Sequence, residues 1–359
     1  MNQSQFKLRP VRVARGATII DVLAGAGCAI ALAAMALPLL GAIGSESGEA
    51  RSNSNLRILA AANDAYSAAF EGRQYTAMPE DAGLVNGNCD QYITTIACPP
   101  LLVLGNGPNG TLWGIHLANI GFCVSPANGH CGNWVLYKSF AFSGIGTGLG
   151  SFRLPNVRAF NSFVDGKFFS DTFYAPNDRY AMDRTAAYRD AGVDFDSNSS
   201  SDFAYSSYCF SPAAMMNPAT LAASGYKAQE SYAEGFVSPT VATCAHPDLK
   251  TRMIEHNWNH RPPSTGSPDL SDEPWYFNSS ASASTQSIFF DGHIGRILTS
   301  KAVADDASAQ ASSGTGLWHR GTPLGANGYF GQYSADGTKN SHTILTIDGI
   351  LGRDVLTAQ

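Results

Sequence analysis

The sequence predicts an α+β protein in which a long N-terminal membrane helix is followed by an amphipathic helix that packs on a mainly antiparallel β-sheet head with long loops. Three observations support this fold class. Residues 17–43 form an apolar run, residues 56–72 carry apolar side chains near helical spacing, and the segments after Gln74 read mostly as strands and turns. The predicted organisation is a basic leader at 1–16, a transmembrane helix at 17–43, a linker and amphipathic helix at 44–72, and a β-rich head at 73–359.

The N-terminal apolar run is long enough to cross a bilayer. From Ala17 to Ile43 the only charged residue is Asp21, and about twenty apolar residues span a membrane as a helix. Four cations precede the run, and they favour a cytoplasmic position for that end of the chain; they are Lys7, Arg9, Arg12 and Arg15. A carboxylate such as Asp21 is costly inside hydrocarbon unless it finds a partner. The run therefore predicts a single-pass anchor with an unusual acidic residue near its start.

The residues around Asp21 are similar to those of type IV pilins and pseudopilins. In that family a prepilin peptidase cuts after a glycine, the new first residue is methylated, an acid stands fifth and a proline often stands twenty-second. Counting from Ala17, which follows Gly16, Asp21 is fifth and Pro38 is twenty-second. The chain differs from the usual pattern in having Ala17 first, where Phe or Met is common, and Asp21 rather than Glu fifth. The resemblance implies cleavage between Gly16 and Ala17, and assembly through Asp21 and Pro38.

A second, narrower resemblance lies near the C-terminus. The stretch "SIFFDGHIGRI" (Ser287–Ile297) looks like the last strand of large bacterial pilin-like proteins that carry an Asp-Gly-His motif. The residues at 55–72 and 163–178 are similar to that group's helix and central Asp-Gly segment. The histidine that the group has ten positions before Asp291 is absent, because Ala281 stands there. The resemblance implies a pilin-like head.

The amphipathic helix and the strands can be placed along the chain. "GSESGEARSNSN" (Gly44–Asn55) predicts a bend or melted turn, Ser54 a helix N-cap, and Gly72 the left-handed residue that ends the helix. Strands are predicted within Leu101–His116 and Asn133–Phe142, and a hairpin with a two-residue turn at Asp291-Gly292.

Two segments are predicted to lack regular structure. Residues 185–285 are rich in Ser, Asn, Asp and Pro and predict long loops with short elements, and Thr299–Gly316 predicts a low-complexity loop.

Cysteine usage predicts an oxidising compartment. Of seven cysteines, one lies in the apolar run and six follow it; the six are Cys89, Cys98, Cys123, Cys131, Cys209 and Cys244. Six cysteines after an export-like segment predict up to three disulfides, with Cys89–Cys98 and Cys123–Cys131 favoured as local loops. The alternative is six buried thiols in a cytoplasmic protein.

Two patterns are candidates for metal binding. Oxygen side chains alternate at Asp194, Asp196, Asn198, Ser200 and Asp202, as at the start of a calcium loop, but the residues required later in an EF-hand are missing. A solvated loop of Asx turns is the alternative.

The second pattern is a histidine pair. His256 and His260 stand at i and i+4, which on a helix would place both imidazoles on one face, although the order is not HExxH. A packing or surface role is the alternative. No cofactor is predicted apart from calcium at the alternating oxygens.

Net charge is −6 and no basic stripe follows the leader, so a nucleic-acid partner is not expected.

The function predicted is that of a pilin-like structural subunit rather than an enzyme, with the prepilin peptidase, the inner membrane and other pilin-like subunits or copies of itself as partners. The expected location is the inner membrane with an extracytoplasmic head, or a cell-surface or periplasmic filament. The alternatives are an anchored ligand-binding surface protein and an anchored metal-dependent hydrolase at His256 and His260.

Overall fold

The computed structural model describes residues 48–96, 102–106, 112–115, 137–143, 147–191, 205–256, 281–333 and 338–357. The stretch from Glu49 onward belongs to one compact unit, and Met1–Gly48 form a separate unit of which only Gly48 is among the described residues. No helix within the described ranges is long and apolar enough to cross a membrane. The predicted transmembrane segment at 17–43 lies outside those ranges.

Helices and strands both contribute, as the α+β prediction requires. Residues 48–69 are helical and are called α1 here. The other helices are α2 (Cys89–Thr95), α3 (Arg158–Asn161), α4 (Arg179–Ala191), α5 (Pro212–Met215), α6 (Thr299–Ser313) and α7 (Gly328–Tyr333). The strands are β1 (Leu102–Asn106), β2 (Leu112–Ile115), β3 (Tyr208–Phe210), β4 (Thr251–Glu255), β5 (Ser284–Phe289) and β6 (Ile294–Leu298). Short 3-10 turns connect many of these elements.

The strands form two antiparallel sheets. β1 pairs with β2, and the larger sheet has the order β3-β4-β5-β6. In the register of the larger sheet, Tyr208 stands opposite Glu255 between β3 and β4, and Ile254 opposite Ser287 between β4 and β5. Between β5 and β6, Ser287 stands opposite Gly295. An irregularity between Thr251 and Met253 shifts the register of β4 against β5. The prediction of strands within Leu101–His116 is confirmed by β1 and β2.

The predicted hairpin at Asp291-Gly292 is confirmed as β5 and β6, but its turn is longer than expected. Four residues, Phe290–His293, connect the strands, and within the Asp291-Gly292 pair it is Gly292 that takes a positive φ, of 86°. The Asp291 side chain accepts a bond from the backbone amide of His293 at 3.0 Å. This local bond stabilises a wider turn than the two-residue type.

The amphipathic helix is confirmed at 56–69, and it ends as expected. Glu71 (φ 53°) and Gly72 (φ 76°) are both left-handed, and the Gly72 amide donates to the Ser67 carbonyl at 2.7 Å. The predicted bend is wrong over residues 48–55, which are helical, and Ser54 is inside α1 rather than at an N-cap. The polar residues there do not interrupt the helix because Ser52 and Asn55 face inward and bond to the head.

Two further predictions about elements are wrong. Residues 137–142 of the predicted strand at Asn133–Phe142 form no strand, although Tyr137, Phe140 and Phe142 are buried; residues 133–136 lie outside the described ranges. The predicted loop at Thr299–Gly316 is mostly α6, closed by a left-handed Gly314. Its alanines explain the error, because alanine has the highest helix propensity of all residues. The expectation of short elements within 185–285 holds for the described residues 205–256.

The core is aromatic and lies between α1, the larger sheet and the connecting segments. Its fully buried rings include Tyr75, Phe160 and Phe210. The Phe210 ring lies 4.8 Å from Tyr75 and 5.0 Å from Phe160, measured between ring centroids. Such contacts add to the hydrophobic gain of about 2 kcal/mol for each large side chain buried. The core therefore fixes α1 against the sheet.

Candidate functional site at the helix–sheet interface

The contact between α1 and the larger sheet is called the helix–sheet interface here. Leu56, Leu59, Ala62 and Tyr66 of α1 are at most 7% exposed and belong to the same buried cluster as the sheet residue Met253. Their spacing of three or four residues places them on one face of the helix. The sequence segment that follows the apolar run is thus integral to the head.

Polar side chains fix the position of α1 along the sheet. The hydroxyls of Ser52 and Tyr208 lie 2.9 Å apart, and the Asn55 amide donates to the carbonyl of Asp171 at 3.1 Å. The Asn63 amide donates to the sulfur of Met253 in β4 at 3.0 Å. Buried hydrogen bonds are directional, and a shift of the helix by one turn would leave these groups unsatisfied.

Arg252 of β4 makes the most extensive of these contacts. Its guanidinium donates to the side chains of Gln74 (3.1 Å), Asp64 (2.6 Å) and Ser67 (2.9 Å) and to the carbonyl of Asn63 (3.0 Å). Burial lowers the pKa of Arg252, and the Asp64 carboxylate opposes that effect. One strand residue therefore holds four residues from α1 and the segment after it.

Charged pairs surround the first turns of α1. Glu49 forms an ion pair with Arg296 of β6, and Arg51 lies 3.3 Å from Asp171, which also binds Arg189 at 2.6 Å. The Glu49–Arg296 and Arg51–Asp171 pairs are exposed, and exposed pairs contribute about 1 kcal/mol or less each. They orient this end of the helix more than they stabilise it.

Glu255 lies beneath the same turns, at the end of β4. Its side chain is buried and hydrogen-bonds to Ser52. Burial, together with the nearby carboxylate of Asp178, raises the pKa of Glu255 to about 7, although the Ser52 hydrogen bond and Arg296 oppose the shift. A carboxyl group with a pKa near 7 changes its charge in the physiological range.

A second buried polar group lies near the C-terminus. The Lys250 ammonium donates to Asp354 at 3.1 Å, to Ser211 at 3.0 Å and to Thr346 at 2.7 Å, and both charged side chains are essentially inaccessible. The second oxygen of Asp354 accepts from the amide of Thr251 at 2.8 Å. Burial lowers the pKa of Lys250, and Asp354 opposes this. The network ties the C-terminal segment to the start of β4.

His256 is a core histidine. It is 1% exposed, its ring lies 5.6 Å from Phe330, and burial lowers its pKa to about 3. His260 lies outside the described residues. Among the residues that the structure describes, no group of three metal-ligating side chains is placed to hold an ion. The candidate calcium residues Asp194, Asp196, Asn198 and Asp202 lie in a range that is not described.

Cys209 and Cys244, two of the six disulfide candidates, are free thiols. Cys209 is fully buried in β3, and burial raises its thiol pKa to about 12. A small, uncharged thiol packs in an apolar core as a hydrophobic residue would. The backbone of Cys89 begins α2, while Cys98, Cys123 and Cys131 lie outside the described residues, so the two favoured local pairs stay predictions.

The residues predicted for processing and assembly, Gly16, Ala17, Asp21 and Pro38, also lie outside the described ranges. Sequence reasoning missed Lys250, Arg252 and Glu255. The stretch "KTRMIE" (Lys250–Glu255) gives only a partial signal, because Lys250 and Arg252 alternate with Thr251 and Met253 but Glu255 falls out of this period. A period of two predicts a polar strand face for Lys250 and Arg252 and no position for Glu255 on that face.

Comparisons of the chain with protein-family models, with curated proteins and with solved structures gave no match.

Proposed function

We propose that the chain is a pilin-like or pseudopilin-like structural subunit of a type II secretion or type IV pilus-like system. Cleavage between Gly16 and Ala17 by a prepilin peptidase would leave a methylated amine on Ala17, followed by an apolar segment that carries Asp21 and Pro38. Asp21 would pair with the amine of a neighbouring subunit, since pairing offsets the cost of burying both charges. The subunit would reside in the inner membrane with an extracytoplasmic head, or in a surface or periplasmic filament.

The observation that carries the proposal is the docking of α1. Residues 48–69 follow the apolar run in sequence and are packed along an antiparallel sheet through Leu56, Leu59 and Tyr66, with Arg252 bonded to their polar side. A helix held in this way makes the segment that follows the apolar run part of the folded head. This continuity in sequence suits a structural subunit, whereas a plain anchored domain needs no docked helix after its anchor.

The N-terminus of the mature protein, isolated from membranes of the native host, tests the proposal by mass spectrometry. A peptide that begins at methylated Ala17 is expected. An intact Met1, or cleavage beyond Ile43, would overturn the proposal and favour an anchored surface protein or a secreted head.

Cross-linking in the same membranes tests assembly. Asp21→Ala is expected to abolish cross-linked oligomers, and Asp21→Glu is expected to retain them because it keeps the carboxylate. Asp183→Asn, at an exposed position of α4, is the control for loss of one negative charge. Equal oligomer formation by Asp21→Ala and Asp183→Asn would contradict the assigned role of Asp21.

A further inference from the structure

Glu255 is held between the first turns of α1 and the end of the larger sheet. It is 7% exposed and stands opposite Tyr208 in the pairing of β4 with β3. Ser52 of α1 connects the two, since it bonds to the Glu255 carboxyl and lies 2.9 Å from the Tyr208 hydroxyl. A change in the charge of Glu255 therefore alters the energy of the Ser52–Tyr208 contact, by which this end of α1 docks on the sheet.

The charged groups around Glu255 come from three elements. Asp178, which precedes α4, and Glu49 of α1 oppose its ionisation, and Arg296 of β6 favours it. Arg296 is itself paired with Glu49. The fourth neighbour, Tyr208 of β3, carries no charge near neutral pH, because burial raises its pKa further above 10.

Asp178 is fixed in place. It is 2% exposed, its carboxylate accepts from the Ser207 hydroxyl at 2.7 Å, and it also accepts from the amide of Ala181 at 3.1 Å in the first turn of α4. Both bonds hold the Asp178 carboxylate in one position. An ionised Glu255 would thus share a buried site with a second carboxylate that cannot move away, and like charges in such a site are unfavourable.

We propose that Glu255 makes the docking of the first turns of α1 dependent on pH. With a protonated Glu255 these turns stay bound to the sheet. Ionisation places an additional negative charge in a buried position beside Asp178 and Glu49, and this cost exceeds what the Ser52 hydrogen bond and Arg296 return to the ionised form. The open state, in which water reaches the carboxylate, therefore becomes more populated. The head would then hold the helix more firmly in an acidic compartment than in an alkaline one.

The size of the effect follows from the proton balance of the two states. An exposed Glu255 in the open state loses its proton near pH 4.5, whereas the docked state keeps it up to about pH 7. Between these limits the opening constant rises about tenfold for each pH unit, and it levels off above pH 7. From pH 6 to pH 8 an increase of about tenfold is expected.

Hydrogen–deuterium exchange of the full-length chain in detergent micelles tests the proposal. The exchange rates of amides 49–57 are divided by their intrinsic rates at pH 6 and pH 8, with the amides of α6 as the internal reference. Protection of 49–57 is expected to fall about tenfold from pH 6 to pH 8, while that of α6 stays constant. Equal protection at the two pH values would overturn the proposal.

Three variants separate Glu255 from other titrating groups. Glu255→Gln is expected to remain protected at both pH values, because the amide carries no charge. Asp178→Asn, which keeps a side chain able to cap α4, is expected to shift the change in protection to lower pH. Asp183→Asn, at an exposed position of α4, is expected to behave as the unaltered chain. A pH response in Glu255→Gln equal to that of the unaltered chain would also overturn the proposal.

Discussion

At the scale of single residues, the Lys250–Asp354 pair shows how two buried charges are each matched by hydrogen-bond partners. The ammonium has three acceptors, Asp354, Ser211 and Thr346, and Asp354 accepts in addition from the amide of Thr251. Each charge is thereby compensated, so the pair as a whole tolerates its burial. Removal of one partner leaves the other charge buried and unpaired, which is far more costly than loss of an exposed ion pair.

Lys250→Met is therefore expected to reduce the free energy of unfolding by about 3–5 kcal/mol, as measured by urea denaturation. Arg51→Met is the matched control, because the Arg51–Asp171 pair is 60% and 55% exposed. Its expected loss is about 1 kcal/mol or less. If Lys250→Met were no more costly than the control, Asp354 would have to be satisfied by its other bonds alone.

Buried histidines are expected to make the protein less stable in acid. Burial lowers the pKa of His256 to about 3 and that of His342 to about 4, so the unfolded chain binds these protons first as the pH falls below 6.5. Their contribution is intact above pH 6.5 and is lost on acidification. Between pH 7 and pH 5 the loss is about 2 kcal/mol for each histidine. The raised pKa of Glu255 makes the folded state more stable as the pH falls through this range. The contribution of one histidine is therefore measured as the difference between its variant and the unaltered chain.

His256→Gln is expected to flatten this dependence by about 2 kcal/mol in urea denaturation at pH 7 and pH 5. Ala307→Gln, an exposed change in α6 that involves no ionisable group, serves as control and is expected to leave the pH dependence unchanged. An unaltered slope in His256→Gln would show that His256 is not the group that titrates on unfolding.

At the scale of elements, α6 is the clearest case of a helix without an obvious apolar stripe. Five alanines lie within Thr299–Ser313, Lys301 pairs with Asp305 one turn later, and Gly314 closes the helix at a φ of 75°. These local features stabilise a helix even where few side chains are buried.

Ala307→Pro, at an exposed position of α6, is expected to destabilise the protein by about 3 kcal/mol or more, and Ala307→Gly by about 1 kcal/mol. Thermal unfolding followed by circular dichroism gives the comparison. Ala307→Gln serves as control, because glutamine is nearly as good a helix former as alanine. Equal stability of Ala307→Pro and Ala307→Gln would contradict the helix at this position.

Local chemistry explains which elements could be predicted. The β5–β6 hairpin follows from β-forming residues around Gly292, and the apolar half of α1 follows from the spacing of Leu56, Leu59 and Tyr66. The polar half of α1 could not be predicted, because Ser52 and Asn55 look like solvent-exposed residues until Tyr208 and Asp171 are placed beside them. Polar residues whose partners lie more than 100 positions away leave no local signal.

The candidate site could not be predicted from the sequence for the same reason. Arg252 and Glu255 belong to a segment that reads as loop, and their roles depend on α1, nearly 200 residues earlier in the chain. Conversely, the residues that support the proposed assembly, Gly16, Asp21 and Pro38, are recognisable by their fixed offsets alone.

At the scale of the whole molecule, α1 from Glu49 onward belongs to the same compact unit as the two sheets. The compact unit begins at Glu49, and the linker predicted at 44–55 is helical from residue 48 onward. Along α1, apolar contacts of Leu56, Leu59 and Tyr66 and the bonds of Arg252 join the helix to the core. Loss of α1 would expose this surface to water at a cost of about 2 kcal/mol for each large side chain.

Three truncated chains test this boundary by size-exclusion chromatography and thermal unfolding. A chain that begins at residue 49 is expected to be a folded monomer with a cooperative transition. A chain that begins at residue 56 keeps the apolar contacts but lacks Glu49, Ser52 and Asn55, and is expected to unfold cooperatively at a lower temperature. A chain that begins at residue 73 is expected to aggregate or to unfold without a cooperative transition. A cooperative transition in this shortest chain would show that α1 is an appendage of the head, and the docking of α1 would then no longer support the assembly proposal.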